Sequence, residues 1–384
     1  MPSVITSNIG SGLALQPDAS GQLQFSTGYG GTQLALANNV LTMGSNVAMT
    51  MGDGTQWYTA QSLGTRNRII NGAMQIDQRS NGASFTMTAS TYGSYGSCDR
   101  WNFGNSNASG CVAQRVTSTL AGFPYALQIQ RSSTSTVTGF FGTAQDIETL
   151  NCQDLAGQTV TLSFYAQAGA NFSAASNLIN VFVATGTGTD QSSNLMWTSA
   201  WTGFAKPLNT TATLTTTWTR YSYTVVIPAG TNEIAAAFYY TPTGTAGTAD
   251  YFQITGVQLE PGPVATPFER KLYNQVLADC QRYYEKSYDT TVNPGTVTST
   301  NAFSLIASSS LVRYPAFFKV TKRIVNGTIT FYSTAGSSGF IRNNSASSDL
   351  AVSTVTGSVN GYASSNGGTT NNEYIGQWTV DAEL

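Results

Sequence analysis

TVTLSFYA, residues 159–166, places Val160, Leu162 and Phe164 on one side of an extended chain and polar or mixed residues on the other. Period-2 alternation of this kind is what a strand with one buried face requires. The same rule is kept by NLINVFVA (177–184), WTRYSYTVVIPAG (218–230), EIAAAFYYT (233–241) and YFQITGVQL (251–259). Turn clusters such as TGTGTDQSS and TPTGTAGTAD separate these runs, and nothing between them has helical period. Residues 66–265 therefore read as an antiparallel sandwich, a jelly roll.

The remainder of the 384-residue chain is enough for two or three domains in all. Only 9% of residues are charged and the net charge is -2, so nothing in the charge balance attracts nucleic acid or an anionic membrane. Low charge does not mean disorder, because 18 Phe, 19 Tyr and 6 Trp are available for burial. No stretch approaches the roughly 20 apolar residues of a membrane helix, so membrane insertion is not expected. The opening MPSVITSNIGSG lacks the basic and apolar regions of a secretory signal, and synthesis in a cytosol without a signal peptide is expected. Cys98, Cys111, Cys152 and Cys280 form no C-x-x-C pair and read mainly as buried thiols, with Cys98 and Cys111 placed where a bridge across a hairpin is the alternative. Histidine is absent, and neither a metal site nor a cofactor is expected.

Residues 1–65 contain no Lys or Arg, and QLQFS, QLALA, NVLTMG and NVAMTMG alternate over short lengths between Gly and Asn turns. Hairpins this short cover too little apolar surface alone; they read as a narrow β-shaft shared between chains, most simply three, with a disordered leader as the alternative. At 266–289 the character changes to an amphipathic junction helix. Thr266 and Glu269 have capping-box spacing, Pro267 suits the first turn, and Phe268, Leu272, Val276, Cys280, Tyr283 and Tyr284 make one apolar stripe. That stripe is expected to pack on the sandwich or on its own copies at a trimer axis, with a partner groove as the alternative. Residues 290–384 return to β, with SLIASSSLVRYPAFFKV, GTITFYST and YIGQWTVDAEL as strands of a small terminal domain.

NRIINGAMQIDQR (67–79), CDRW (98–101), LAGQTVTLSFYAQAG (155–169), VQLEPGPVATPFE (257–269), CQRYYEK (280–286), VRYP (312–315) and the closing DAEL together resemble tail-fibre and virion structural proteins of tailed bacteriophages. The resemblance covers roughly residues 66–384. It implies a carbohydrate-binding-module-like jelly roll, a helix that opens a distal domain, and an elongated trimeric fibre in the virion. On that view residues 1–65 attach to a phage tail or baseplate protein, and a distal β-tip binds host surface polysaccharide or lipopolysaccharide. The alternatives are a purely structural component, such as a head fibre or baseplate spacer, and a capsule-degrading tailspike.

Sugar recognition needs flat apolar faces for pyranose rings and amide or hydroxyl groups for their hydroxyls. Trp197 and Trp201, four apart in NLMWTSAWTGF, share a face if that segment is extended, although core packing competes for at least one of them. At the tip, Phe340, Arg342 and Asn343 in SSGFIRNN and Tyr362 in VNGYASS sit in turn-rich segments. In CDRW, Asp99 reads as a turn cap or an arginine partner, and Trp101 as core. A glycosidase needs two carboxylates across a cleft, and Asp146 with Glu148 in AQDIETL is the nearest match. Without histidine, a G-x-S-x-G elbow or long parallel repeats, the chain is not expected to be an enzyme.

Overall fold

The computed structural model describes residues 48–50, 56–58 and 66–384, apart from residues 89, 107–109, 326 and 353. Most of the shaft reading lies outside the described residues. Within it, β1 (Ala48–Thr50) and β2 (Gln56–Tyr58) pair antiparallel with Met49 opposite Trp57, and β1 falls inside NVAMTMG as expected.

The sandwich strands follow in chain order as β3 (Phe85–Met87), β4 (Tyr92–Tyr95), β5 (Asn102–Asn105), β6 (Cys111–Thr117), β7 (Tyr125–Arg131), β8 (Phe141–Ile147), β9 (Thr159–Ala168), β10 (Leu178–Gly186), β11 (Ala205–Thr213), β12 (Thr219–Val226), β13 (Glu233–Tyr240) and β14 (Tyr251–Pro261). The first sheet runs β11-β10-β13-β8-β5-β4 and the second β12-β9-β14-β7-β6-β3. From β8 to β14 the chain changes sheet at every step except the β10–β11 hairpin, which is jelly-roll winding.

Alternation decides what enters the core. Val160, Leu162, Phe164 and Ala166 of β9 meet Ile179, Val181 and Val183 of β10 and Ile234, Ala236, Phe238 and Tyr240 of β13, all buried. On β14 the alternation resets. Phe252 and Ile254 face inward, then Gly256 takes a φ of 59° and the next inward residues are Val257 and Leu259. A β-carbon at Gly256 would lie 2.9 Å from the Phe123 ring, so both the backbone angle and the close approach call for glycine at this bulge.

Two local expectations change. The segment after TGTGTDQSS contains a short helix, α1 (Ser193–Trp197). The junction helix, α2 (Tyr273–Gln281), begins seven residues after the expected cap. Thr266 is not a cap, because its hydroxyl and N–H both bind the Glu260 carboxylate, at 2.6 and 2.9 Å. Glu269 instead accepts from the backbone N–H of Asn67 at 2.7 Å. The start of α2 is set by Gln275, whose side chain accepts from the Leu272 N–H at 3.2 Å.

The terminal domain contains β15 (Tyr284–Lys286), β16 (Phe303–Ile306), β17 (Leu311–Phe317), β18 (Thr328–Tyr332), β19 (Phe340–Asn343), β20 (Ser348–Ala351), β21 (Thr354–Gly357), β22 (Gly361–Gly367) and β23 (Glu373–Asp381). β23 is its spine: β15 and β18 pair with its last residues, and β16 and β19 with its first. Tyr314, Phe331, Ile341, Tyr362, Trp378 and Val380 form a separate small core.

The sandwich and the terminal domain meet at a buried charged seam. Arg100 donates to the carboxylate of Glu383 and, at 2.7 Å, to the carbonyl of Asp146, while its guanidinium lies 3.6 Å from the Tyr283 ring centre. Arg79 binds Asp381 at 2.7 Å and Glu383 at 3.2 Å and covers Tyr284 at 3.8 Å. Gln78 bridges Asp99 and the Tyr284 carbonyl, at 2.5 and 2.8 Å. The segments 67–79, 98–101, 280–286 and the closing DAEL thus converge in one place. In a chain with few charges, many of the charged residues are gathered between the sandwich core and the smaller terminal core.

Candidate functional site

The two outer faces of the sandwich differ. That of the first sheet is covered by the chain's own excursion from β10 to β11, where Met196 and Trp201 pack on Phe182, Ala184, Ala235 and Ala237. Trp197 stacks on Phe140 with ring centres 5.6 Å apart, and its indole N–H donates to Asn102 at 2.7 Å. Gly104 lies flat beneath it, where a β-carbon would come within 2.6 Å of the indole.

The outer face of the second sheet carries a row of amides. β7 reads Ala-Leu-Gln-Ile-Gln over 126–130, so Leu127 and Ile129 enter the core and Gln128 and Gln130 face out. The register sets Gln167 opposite Gln253, Gln253 opposite Gln128, and Gln128 opposite Gln114. Four adjacent strands therefore contribute one glutamine each to a line about 14 Å long at normal strand spacing. Gln167 donates to Gln253, Gln253 to Gln128 and Gln128 to Gln130, each at 2.7 Å, and Gln130 donates to the Thr248 carbonyl at 2.9 Å. Gln114 turns aside to the Gly82 carbonyl.

This chain of bonds fixes which way each amide points. A primary amide offers two N–H groups and two lone pairs, and in Gln128 and Gln253 the chain uses one of each. Gln128 and Gln253 are themselves only 9% and 8% exposed, while Gln130 and Gln167 at the ends of the chain of bonds are half-exposed. Tyr251, opposite Gln130, and Tyr165, opposite Thr255, flank the row. Arg220, opposite Tyr165 on β12, is the one charge in these rows, its guanidinium 6.0 Å from the Tyr165 ring centre. A neutral, donor-and-acceptor surface with tyrosines beside it matches the hydroxyls and ring faces of a neutral saccharide.

The expected site residues fall elsewhere. Trp201 is 4% exposed and Trp197 is half-buried, both engaged with the covering excursion; they do not form a platform on an extended segment. Asn343 and Tyr362 point into the terminal domain and are buried, whereas Phe340 and Arg342 remain half-exposed, Arg342 paired with Asp349 at 3.1 Å. The helix stripe is largely enclosed within this one chain. Val276 and Cys280 pack with Ile76, Tyr283 and Tyr284 lie in the seam, and Phe268 meets Phe123 edge-on at 5.2 Å. Leu272 alone of the stripe is exposed, at 75%.

Asp146 and Glu148 also belong to the seam. Burial pushes the Asp146 carboxyl up to about 7. Against the effect of burial, hydrogen bonds from Arg282 and Tyr283 hold Glu148 below the usual carboxylate range. Trp101 enters the core, as read, whereas Asp99 accepts from the backbone N–H and the amide of Gln78 and, among the described residues, neither caps a turn nor pairs with an arginine. All four cysteines are buried free thiols, so the alternative of a Cys98–Cys111 bridge is not realised. The glutamines were missed because glutamine is common on solvated strand faces. The available signal was the run of Gln, where charged residues are usual, at outward positions of YALQIQR, FYAQAG and YFQITG.

Among the described residues, no helix is long and apolar enough to cross a membrane. No protein-family model matches the chain, and no curated protein matches its sequence. Among solved structures, the enzymatically active domain of tailspike protein 4 of bacteriophage CBA120 is similar over 51% of this chain and 22% of that one, at 15% identity and a TM-score of 0.29. A putative sugar binding protein from Bacteroides thetaiotaomicron matches 51% of this chain and 100% of its own, at 16% identity and a TM-score of 0.30. The CBM22-1 xylan-binding domain from Paenibacillus barcinonensis Xyn10C matches 49% and 99%, at 12% identity and a TM-score of 0.27. Likenesses this low carry no argument about ligand or activity.

Proposed function

We propose that this chain is a non-enzymatic, glycan-binding component of a tailed-phage particle, a tail fibre whose sandwich grips a neutral stretch of host surface polysaccharide. The observation that carries the binding reading is the glutamine row, a hydrogen-bonded line of amides on the outer face of the second sheet, where Gln130 and Gln167 are half-exposed beside the more enclosed Gln128 and Gln253. The phage setting rests on the motif resemblance. Weak binding per chain is sufficient in a particle that presents many copies, since linked sites multiply their effect.

Gln253→Leu tests the reading, because it removes the middle rung and leaves Gln167 and Gln128 without their shared partner. Binding to the best polysaccharide from an array of bacterial surface glycans is expected to weaken at least about tenfold, or about 1.4 kcal/mol. Circular dichroism should show the fold intact. Unchanged affinity in the folded variant would remove the sandwich site.

The trimer is a separate clause of the proposal, supported by the short alternating runs in the sequence of residues 1–65. Light scattering on the purified chain is expected to give three times 40.6 kDa. A single-chain mass at micromolar concentration contradicts it. A second reading, a purely structural spacer, draws on the charged seam, which suits a rigid joint; it predicts no glycan binding by the intact assembly.

A further inference from the structure

The terminal domain has an open face of its own. Register places Arg342 of β19, Ile375 of β23 and Ser304 of β16 in one row, with Glu373 two residues along β23 on the same side. Beside it the segment 297–302 is tied to the sheet by Gln377, whose amide donates to the carbonyls of Thr298 and Thr300 at 3.4 and 2.9 Å. Between them lies an open groove of ≈ 550 Å³ whose lining includes Val297, Thr298, Ser304, Asn344, Glu373 and Ile375.

Glu373 is positioned within this groove by two neutral groups. Its Oε1 accepts from Ser304 Oγ at 2.7 Å and its Oε2 from Asn344 Nδ2 at 2.5 Å. Each carboxylate oxygen accepts more than one hydrogen bond, so both keep capacity for a ligand while the side chain is held in one orientation. Val297, 73% exposed, and Ile375 supply apolar surface next to it. An oriented acceptor pair beside a small apolar wall is the arrangement that two adjacent hydroxyls and the C–H face of a pyranose would fill.

We infer that this groove is a second saccharide subsite, in which Glu373 accepts hydrogen bonds from neighbouring sugar hydroxyls while the ring rests on Val297 and Ile375. The inference builds on the glycan-binding reading but uses a different domain and a charged acceptor, so the two sites should differ in sugar preference. Together they give each chain two contacts on one polysaccharide, which raises avidity when the spacing fits.

Saturation-transfer NMR on the full chain with millimolar glucose, galactose, mannose, N-acetylglucosamine and rhamnose separates the two sites. In the Gln253→Leu protein at least one of these sugars should still receive magnetisation, and adding Glu373→Gln should weaken that signal about tenfold, because the amide replaces one acceptor oxygen with a donor. If Gln253→Leu retains no sugar signal, or retains one that Glu373→Gln leaves unchanged, the groove is not a subsite. A signal that depends on Glu373 in a protein indifferent to Gln253→Leu supports the groove and overturns the sandwich site instead.

Discussion

Arg100→Ala should destabilise the protein by about 3 kcal/mol, the lower end of the cost of removing one partner from a buried ion pair, because Arg79 still faces Glu383. The guanidinium is 1% exposed and joins three elements. It donates to Glu383 near the end of the chain and to the Asp146 carbonyl on β8, and it covers the Tyr283 ring just after α2. Alanine removes all three contacts and leaves Glu383, 5% exposed, with Arg79 as its remaining cation. Thermal unfolding followed by circular dichroism should show a loss of roughly 5 °C. A loss below about 1 °C, within the range of ordinary surface substitutions, would mean that the seam does not hold the two domains together.

Phe238→Ala should cost a similar amount, about 3–5 kcal/mol, for a different reason. Phe238 on β13 has no exposed surface and lies between the sheets, its ring centre 4.7 Å from Phe164 on β9 and 6.3 Å from Trp101. Truncation opens a cavity that neighbouring strands, fixed by their ladders, fill poorly. Tyr239, the next residue, points to the other side and is half-buried against Phe140 and Phe182. Tyr239→Ala should therefore cost clearly less. Chemical denaturation of the two variants checks this, and a larger loss for Tyr239 than for Phe238 would show that the assigned facing of β13 is reversed.

These two neighbours show how much of the fold was legible. In Glu-Ile-Ala-Ala-Ala-Phe-Tyr-Tyr, alternation alone places Phe238 opposite in sense to Tyr239, and the same holds for Val160, Leu162 and Phe164. The α2 helix was legible as a helix but not in its bounds, because Thr266 and Glu269, which have capping-box spacing, are taken by Glu260 and by Asn67, partners that lie outside the local run. Trp197 and Trp201 misled for a related reason. Their segment folds back over the first sheet as a short helix and turn, and that covering is a property of the sheet beneath it.

By itself, the sequence determined which residues could be strands, which side of each strand is apolar, and that the charges cluster in a few segments, since these follow from periodicity and composition within short windows. Only the tertiary structure decided that Gln114, Gln128, Gln167 and Gln253 form one row, and that the charged segments around residues 79, 100, 283 and 383 meet in a single seam. Both outcomes depend on strand pairing and domain contact between residues far apart in the chain. Hydrophobic burial drives those contacts without direction, and their register is settled by which neighbours fit, information that no local window of the sequence contains.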